Sequence, residues 1–156
     1  MHAVFVDSNI LIYSQDATDP HKQAQAKDWL EHLWQTRSGR ISYQVLREVY
    51  LNLTRKVSNP LPAPRVRDLI RLFFPWNPRP ENREFFEVAW EIETRFQLSW
   101  WDSMIVAAAH LAECRFLLTE DLQNRMQLND LTVIDPFSIS WETLVEEIRL
   151  NPNKMR

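Results

Sequence analysis

The sequence predicts an α/β protein, a three-layer α/β/α sandwich around a central parallel sheet, and three observations carry that prediction. Short apolar, β-prone segments stand at residues 3–6, 116–119 and 131–134. Segments of helical period lie between them, and a parallel crossover needs such a helix to return the chain. The chain has 156 residues, 45% of them hydrophobic, enough for one substantial core. One domain is expected over residues 1–150, with a helical extension at 138–150 and a frayed tail at 151–156.

Residues 3–6 read as a buried strand that ends at Asp7-Ser8-Asn9 in a turn or helix cap. Ala24, Trp29, Leu30, Leu33 and Trp34 fall at helical spacing over residues 19–36, with Asp19 as cap and Pro20 in the first turn. Gly39, the only glycine, is expected to break that helix before a short strand around Ile41. Ser42 then caps a helix over 43–56. Pro60, Pro62 and Pro64 mark a loop, and Val66, Leu69, Ile70, Phe73 and Phe74 describe a helix that Pro75 terminates. Helical spacing resumes over 81–96 through Phe85, Val88, Ala89, Ile92 and Phe96. Ser99 caps an Ala-rich helix over 100–112, strands follow at 116–119 and 131–134, and an amphipathic helix runs over 140–150. The conformation of residues 122–130 is left open.

Composition removes several classes of function. A formal charge of −3 argues against a protein that coats nucleic acid through a global positive field, although 14 of the 18 basic residues are arginine, which suits phosphate contacts. A single glycine cannot build a dinucleotide fingerprint or a P-loop. There is no Gly-x-Ser-x-Gly elbow, and an aspartyl-phosphate route from Asp7 meets Asn9 where its second acid would stand. Cys114 reads as a buried small hydrophobe, and His2, His21, His32 and His110 show no zinc-site spacing. No signal peptide or run of roughly 20 apolar residues is seen, so a cytoplasmic protein is expected.

Ligands of open parallel sheets bind beyond the carboxyl ends of the strands. Asp7 follows the first strand, Asp121 lies two residues past Thr119, Glu48 sits about two turns into the helix after the second strand, and Asp102 lies in the first turn of the Ala-rich helix. Singly, each has an ordinary explanation: a cap for Asp7, a helix-dipole partner for Asp102, a solvated face for Glu48, a turn for Asp121, whose neighbour Glu120 could be the functional acid instead. Together they describe carboxylates whose mutual repulsion a cation would relieve. Oxygen ligands without histidine or cysteine favour Mg²⁺ or Mn²⁺, and such a site points to phosphodiester hydrolysis.

The segments FVDSNILIY, QVLREVY, LSWWDSMIVAAA, LLTEDLQ and VIDPF, in that order over roughly residues 3 to 137, resemble the PIN-domain nucleases and, more narrowly, the VapC-type toxins of toxin–antitoxin pairs. The resemblance implies that Asp7, Glu48, Asp102 and Asp121 form a metal-binding and catalytic quartet, supported by Asn9 and Thr119. It further implies a Mg²⁺- or Mn²⁺-dependent endoribonuclease acting on RNA, a homodimer and a cognate antitoxin that blocks the acidic pocket. The alternative is a catalytically silent PIN-like module that binds RNA or protein. Arg65, Arg67, Arg71, Arg79 and Arg83 with Phe73, Phe74 and Trp76 suggest an RNA surface, against the reading that the rings are core and the arginines a solvated face. Trp100 and Trp101 are expected to pack, with one of them able to line the pocket.

Overall fold

The computed structural model describes residues 2–152. Strands β1 (Val4–Val6), β2 (Gly39–Arg40), β3 (Phe116–Leu118), β4 (Gln127–Leu128) and β5 (Leu131–Ile134) form one sheet in the order β2-β1-β3-β5-β4. The first four in that order are parallel. The fifth, β4, is antiparallel to β5, so the expectation of a parallel sheet is corrected at one edge. Its two residues are too short for a periodicity to reveal. The turn between β4 and β5 needs no glycine, because Asn129 takes the left-handed conformation at φ 58. Arg125, at φ 70, makes a similar bend in the preceding loop.

Helices α1 (Ser8–Gln15), α2 (Pro20–Gln35), α3 (Tyr43–Leu51), α4 (Ala63–Phe73), α5 (Arg83–Phe96), α6 (Trp100–Leu111) and α7 (Trp141–Leu150) flank the sheet. Side chains of Asp19, Ser42, Asn82, Ser99 and Ser140 cap α2, α3, α5, α6 and α7 by accepting first-turn amides. Asp7 is a helix cap, and Ser8 and Asn9 open α1. Asn52 donates its side-chain amide to the Glu48 carbonyl at 2.8 Å, and Thr54 its hydroxyl to the Tyr50 carbonyl. That competition accompanies a π-helical turn over Asn52–Lys56 that carries α3 to its expected end.

Gly39 does not break α2. Arg37, at φ 56, turns the chain, and Gly39 itself starts β2, which ends at Arg40, just before the Ile41 around which the strand was expected. A Cβ at Gly39 would lie 2.6 Å from the indole of Trp76, which is wedged against Trp34 and Phe73 with ring centroids 5.1 and 4.9 Å away. Gly39→Ala should therefore cost about 1–3 kcal/mol of overpacking. Urea unfolding checks this, and an unchanged midpoint means the indole has room to move.

The buried face of α2 is Ala26, Trp29, Leu30 and Leu33; Ala24 and Trp34, expected on it, are exposed. Phe73 and Trp76 are buried, whereas Phe74 is exposed and not a core residue. Cys114 is buried, and burial pushes its thiol up to about 12, as suits an inert core thiol.

The extension docks through α7. The Trp29 indole donates to the Ile139 carbonyl at 3.0 Å and meets Trp141 edge-on at 5.7 Å, and His32 stacks on Trp141 at 5.2 Å. Arg125 donates to both carboxylate oxygens of Glu147 at 2.6 Å. Of the expected frayed tail, Asn151 and Pro152 are exposed and residues 153–156 lie outside the described residues. Among the described residues no helix is long and apolar enough to cross a membrane.

Candidate active site

Strand register builds the centre of the site. Val6 stands beside Leu118, so the next residues, Asp7 and Thr119, meet at the carboxyl end of the sheet. The Asp7 amide donates to the Leu118 carbonyl at 3.0 Å and the Thr119 amide to the Ile134 carbonyl at 3.1 Å, which carries the ladder one step past the strands. Asp7 is 5% exposed and Thr119 1%.

Thr119 joins three groups. Its hydroxyl donates to Asp7 Oδ2 at 2.8 Å and accepts from the Asp121 amide at 3.1 Å and from Asn9 Nδ2 at 3.2 Å. Asn9 Nδ2 also donates to Asp121 Oδ2 at 3.1 Å. Asp7 Oδ1 accepts the Ser8 amide at 2.7 Å. The bonds of Asn9 thus run to Thr119 and to the fourth acid, Asp121.

Glu48 reaches the same place from the second turn of α3. Ser8 donates its hydroxyl to Glu48 Oε2 at 2.7 Å and Gln44 donates to Oε1 at 3.1 Å. Neither partner was singled out in the sequence, although both spacings were visible: Ser8 follows Asp7, and Gln44 lies one helical turn before Glu48. Asp102 enters in the first turn of α6, where its amide donates to the Ser99 cap at 3.1 Å. Two strand ends, β1 and β3, and two helices, α3 and α6, thus bring the four acids to one edge.

The electrostatics report that convergence. Burial pushes the Asp7 carboxyl up to about 7; bonds from Thr119 and Ser8 oppose the shift, and the charges of Asp121 and Glu48 add to it. Asp121 is also raised, by burial first and then, against its bond from Asn9, by the charges of Glu120, Asp102 and Glu48. No Lys, Arg or His forms an ion pair with any of the four acids among the described residues.

Glu120 borders the quartet but, unlike the four acids, has an ion-pair partner. It accepts from Lys22 Nζ at 2.7 Å, and Lys22 donates as well to the Tyr13 hydroxyl at 3.3 Å. Lys22 and Tyr13 border the acids unnoticed by the sequence reading, because a lysine in a first helical turn reads as solvated. Trp101, expected to pack, is 66% exposed beside Asp102; Trp100 is partly buried and stacks on Phe86 at 6.1 Å.

The residues fit a hard divalent cation. Asn9 Oδ1 is a buried acceptor without a hydrogen-bond partner among the described residues, and Asp7 is a buried acid without a countercharge. No three of the four acids have oxygens all within 4.8 Å of one another, so as they stand at most two of them can touch one ion directly, with water completing its shell. A second grouping gathers Asp28, His32 and Glu142 with ligand atoms within 4.8 Å, so histidine does enter a metal-compatible cluster despite its unpromising spacing. That cluster is largely exposed, lies where α2 meets α7, and is arranged as His32 ion pairs at 3.6 Å.

A solved structure described as a toxin–antitoxin complex from Klebsiella pneumoniae is similar over 86% of this chain and 97% of that chain, with a TM-score of 0.61 and 22% identity, and shows the same fold. No curated protein matches the chain. The PIN domain matches over residues 4–126, a span that takes in all four acids along with Asn9 and Thr119. The chain belongs to the PIN domain family.

Proposed function

We propose that the protein is a Mg²⁺- or Mn²⁺-dependent endoribonuclease, the toxin of a toxin–antitoxin pair whose antitoxin covers the acidic edge. One observation carries the reading: the charges of Glu48 and Asp121 converge on a buried Asp7 whose pKa is raised to about 7, and that of Asp102 on Asp121, an arrangement that costs stability and is useful to a cation. PIN domains are generally nucleases, and the similar Klebsiella structure is of a toxin–antitoxin complex, which supports both the chemistry and the partner.

Asp7, Glu48, Asp102 and Asp121 would hold the ion, at most two of them directly and the others through its water shell. When bound, it supplies Lewis acidity toward the phosphoryl oxygen and makes bound water a stronger acid. Thr119 and Ser8 fix Asp7 by donating to it, Gln44 and Ser8 fix Glu48, and Asn9 holds Asp121. These bonds hold the carboxylates in place before substrate arrives, which lowers the reorganisation needed for reaction. The more exposed Asp102 and Asp121 border the open side, where a phosphodiester enters.

Cleavage of a single-stranded RNA panel, measured against Mg²⁺ and Mn²⁺ concentration, tests the reading. Activity should require the ion and fall by at least about 100-fold in Asp102→Asn. Cutting that persists in chelator, or that Asp102→Asn leaves intact, overturns it; RNA binding without cutting at any ion concentration selects the silent-module alternative.

A further inference from the structure

We infer that Lys22, pinned between Glu120 and two aromatic rings beside the acidic edge, is a binding site for the RNA phosphate that flanks the scissile bond. The inference rests on the nuclease reading and adds to it a substrate-contacting residue outside the quartet.

Four acids and Glu120 at one edge repel the polyanion they are meant to cut. Binding there requires a local cation for the neighbouring phosphates, since only the scissile one gains from the metal. Lys22 is placed to serve. Its ammonium bonds Glu120 Oε2 at 2.7 Å, and Glu120 directly precedes Asp121 and adds to the field that raises it.

The ammonium is also held rigidly. It lies 4.7 Å from the ring centre of Tyr13 and 4.8 Å from that of Phe137, and those rings meet edge-on at 5.1 Å. Cation–π contact on two faces leaves it little rotamer freedom to lose on binding. An ammonium has three donors. Two are spent on Glu120 and Tyr13, which leaves one donor on a side chain that is 32% exposed. The Glu120 carboxylate holds the Lys22 pKa above its ordinary range, so it stays charged wherever the enzyme works.

Two variants separate a phosphate contact from a brace that merely holds the loop. Lys22→Met should raise KM for single-stranded RNA about fivefold, with kcat nearly unchanged, and reduce the slope of log binding constant against log salt by about 0.7. Glu120→Gln should move both in the opposite direction, because it breaks the same ion pair while leaving the ammonium uncompensated. A brace predicts that both variants weaken the enzyme alike. That result, or a Lys22→Met chain with unchanged KM and salt slope, overturns the inference while wild-type cleavage leaves the nuclease reading standing. A wild-type chain that neither binds nor cuts RNA takes down both.

Discussion

Asp7→Asn should abolish RNA cleavage, by at least about 100-fold, and at the same time make the metal-free protein more stable above neutral pH. The stability half follows from linkage. With a folded pKa near 7 against an ordinary 3.8, native Asp7 keeps its proton where the unfolded chain has released it. Wild-type stability must therefore fall as pH rises from about 4 to about 7, and level off beyond. The gap corresponds to about 4 kcal/mol as an upper bound, which an uncharged asparagine does not lose.

Part of that gain is returned. The new amide would donate toward Thr119 Oγ1, which already accepts from Asn9 and from the Asp121 amide, and a donor left without an acceptor costs about 1–3 kcal/mol. The variant should accordingly be more stable than wild type by about 1–3 kcal/mol at pH 8 and less stable below pH 4. Urea unfolding in chelator across pH 4 to 9 reads the crossing directly. Parallel curves for the two proteins would mean that Asp7 is not a buried, uncompensated acid.

Trp29→Ala carries the largest expected loss of stability. The side chain is 1% exposed, donates to the Ile139 carbonyl and packs edge-on against Trp141, so truncation leaves a cavity under α7 and an orphaned carbonyl. Losses of about 3–5 kcal/mol are usual for such a change, or a fall in Tm of roughly 10 °C in a domain of this size. The damage should centre on the docking of α7: amide exchange should accelerate there more than in α3 or α6. Uniform acceleration across the sheet would show that α7 is part of one cooperative unit with the core.

The helices that pack the core were legible because burial imposes period 3.6 on their apolar residues, as in α4 and α5, and the run from Phe116 to Leu118 because a strand buried on both faces is continuously apolar. The acids were legible for a related reason, since Asp7 and Asp121 sit next to strands whose ends must share an edge. Features set by contact rather than period were not. Gly39 reads as a helix stop in sequence, but its role is to clear space for an indole 37 residues later. Ser8, Gln44, Lys22 and Tyr13 carry no mark that separates them from ordinary cap, helix and surface residues. Only the folded chain shows that the first two hold Glu48 and the second two border Glu120.

The two outermost strands, β2 and β4, are each two residues long. A flank that short exposes few free amides and carbonyls, so it cannot template an incoming extended segment. Self-association by edge pairing is disfavoured for the same reason. An inhibitory peptide would have to be gripped by helix faces and loops, and side-chain substitutions there, rather than main-chain complementarity, would set its selectivity.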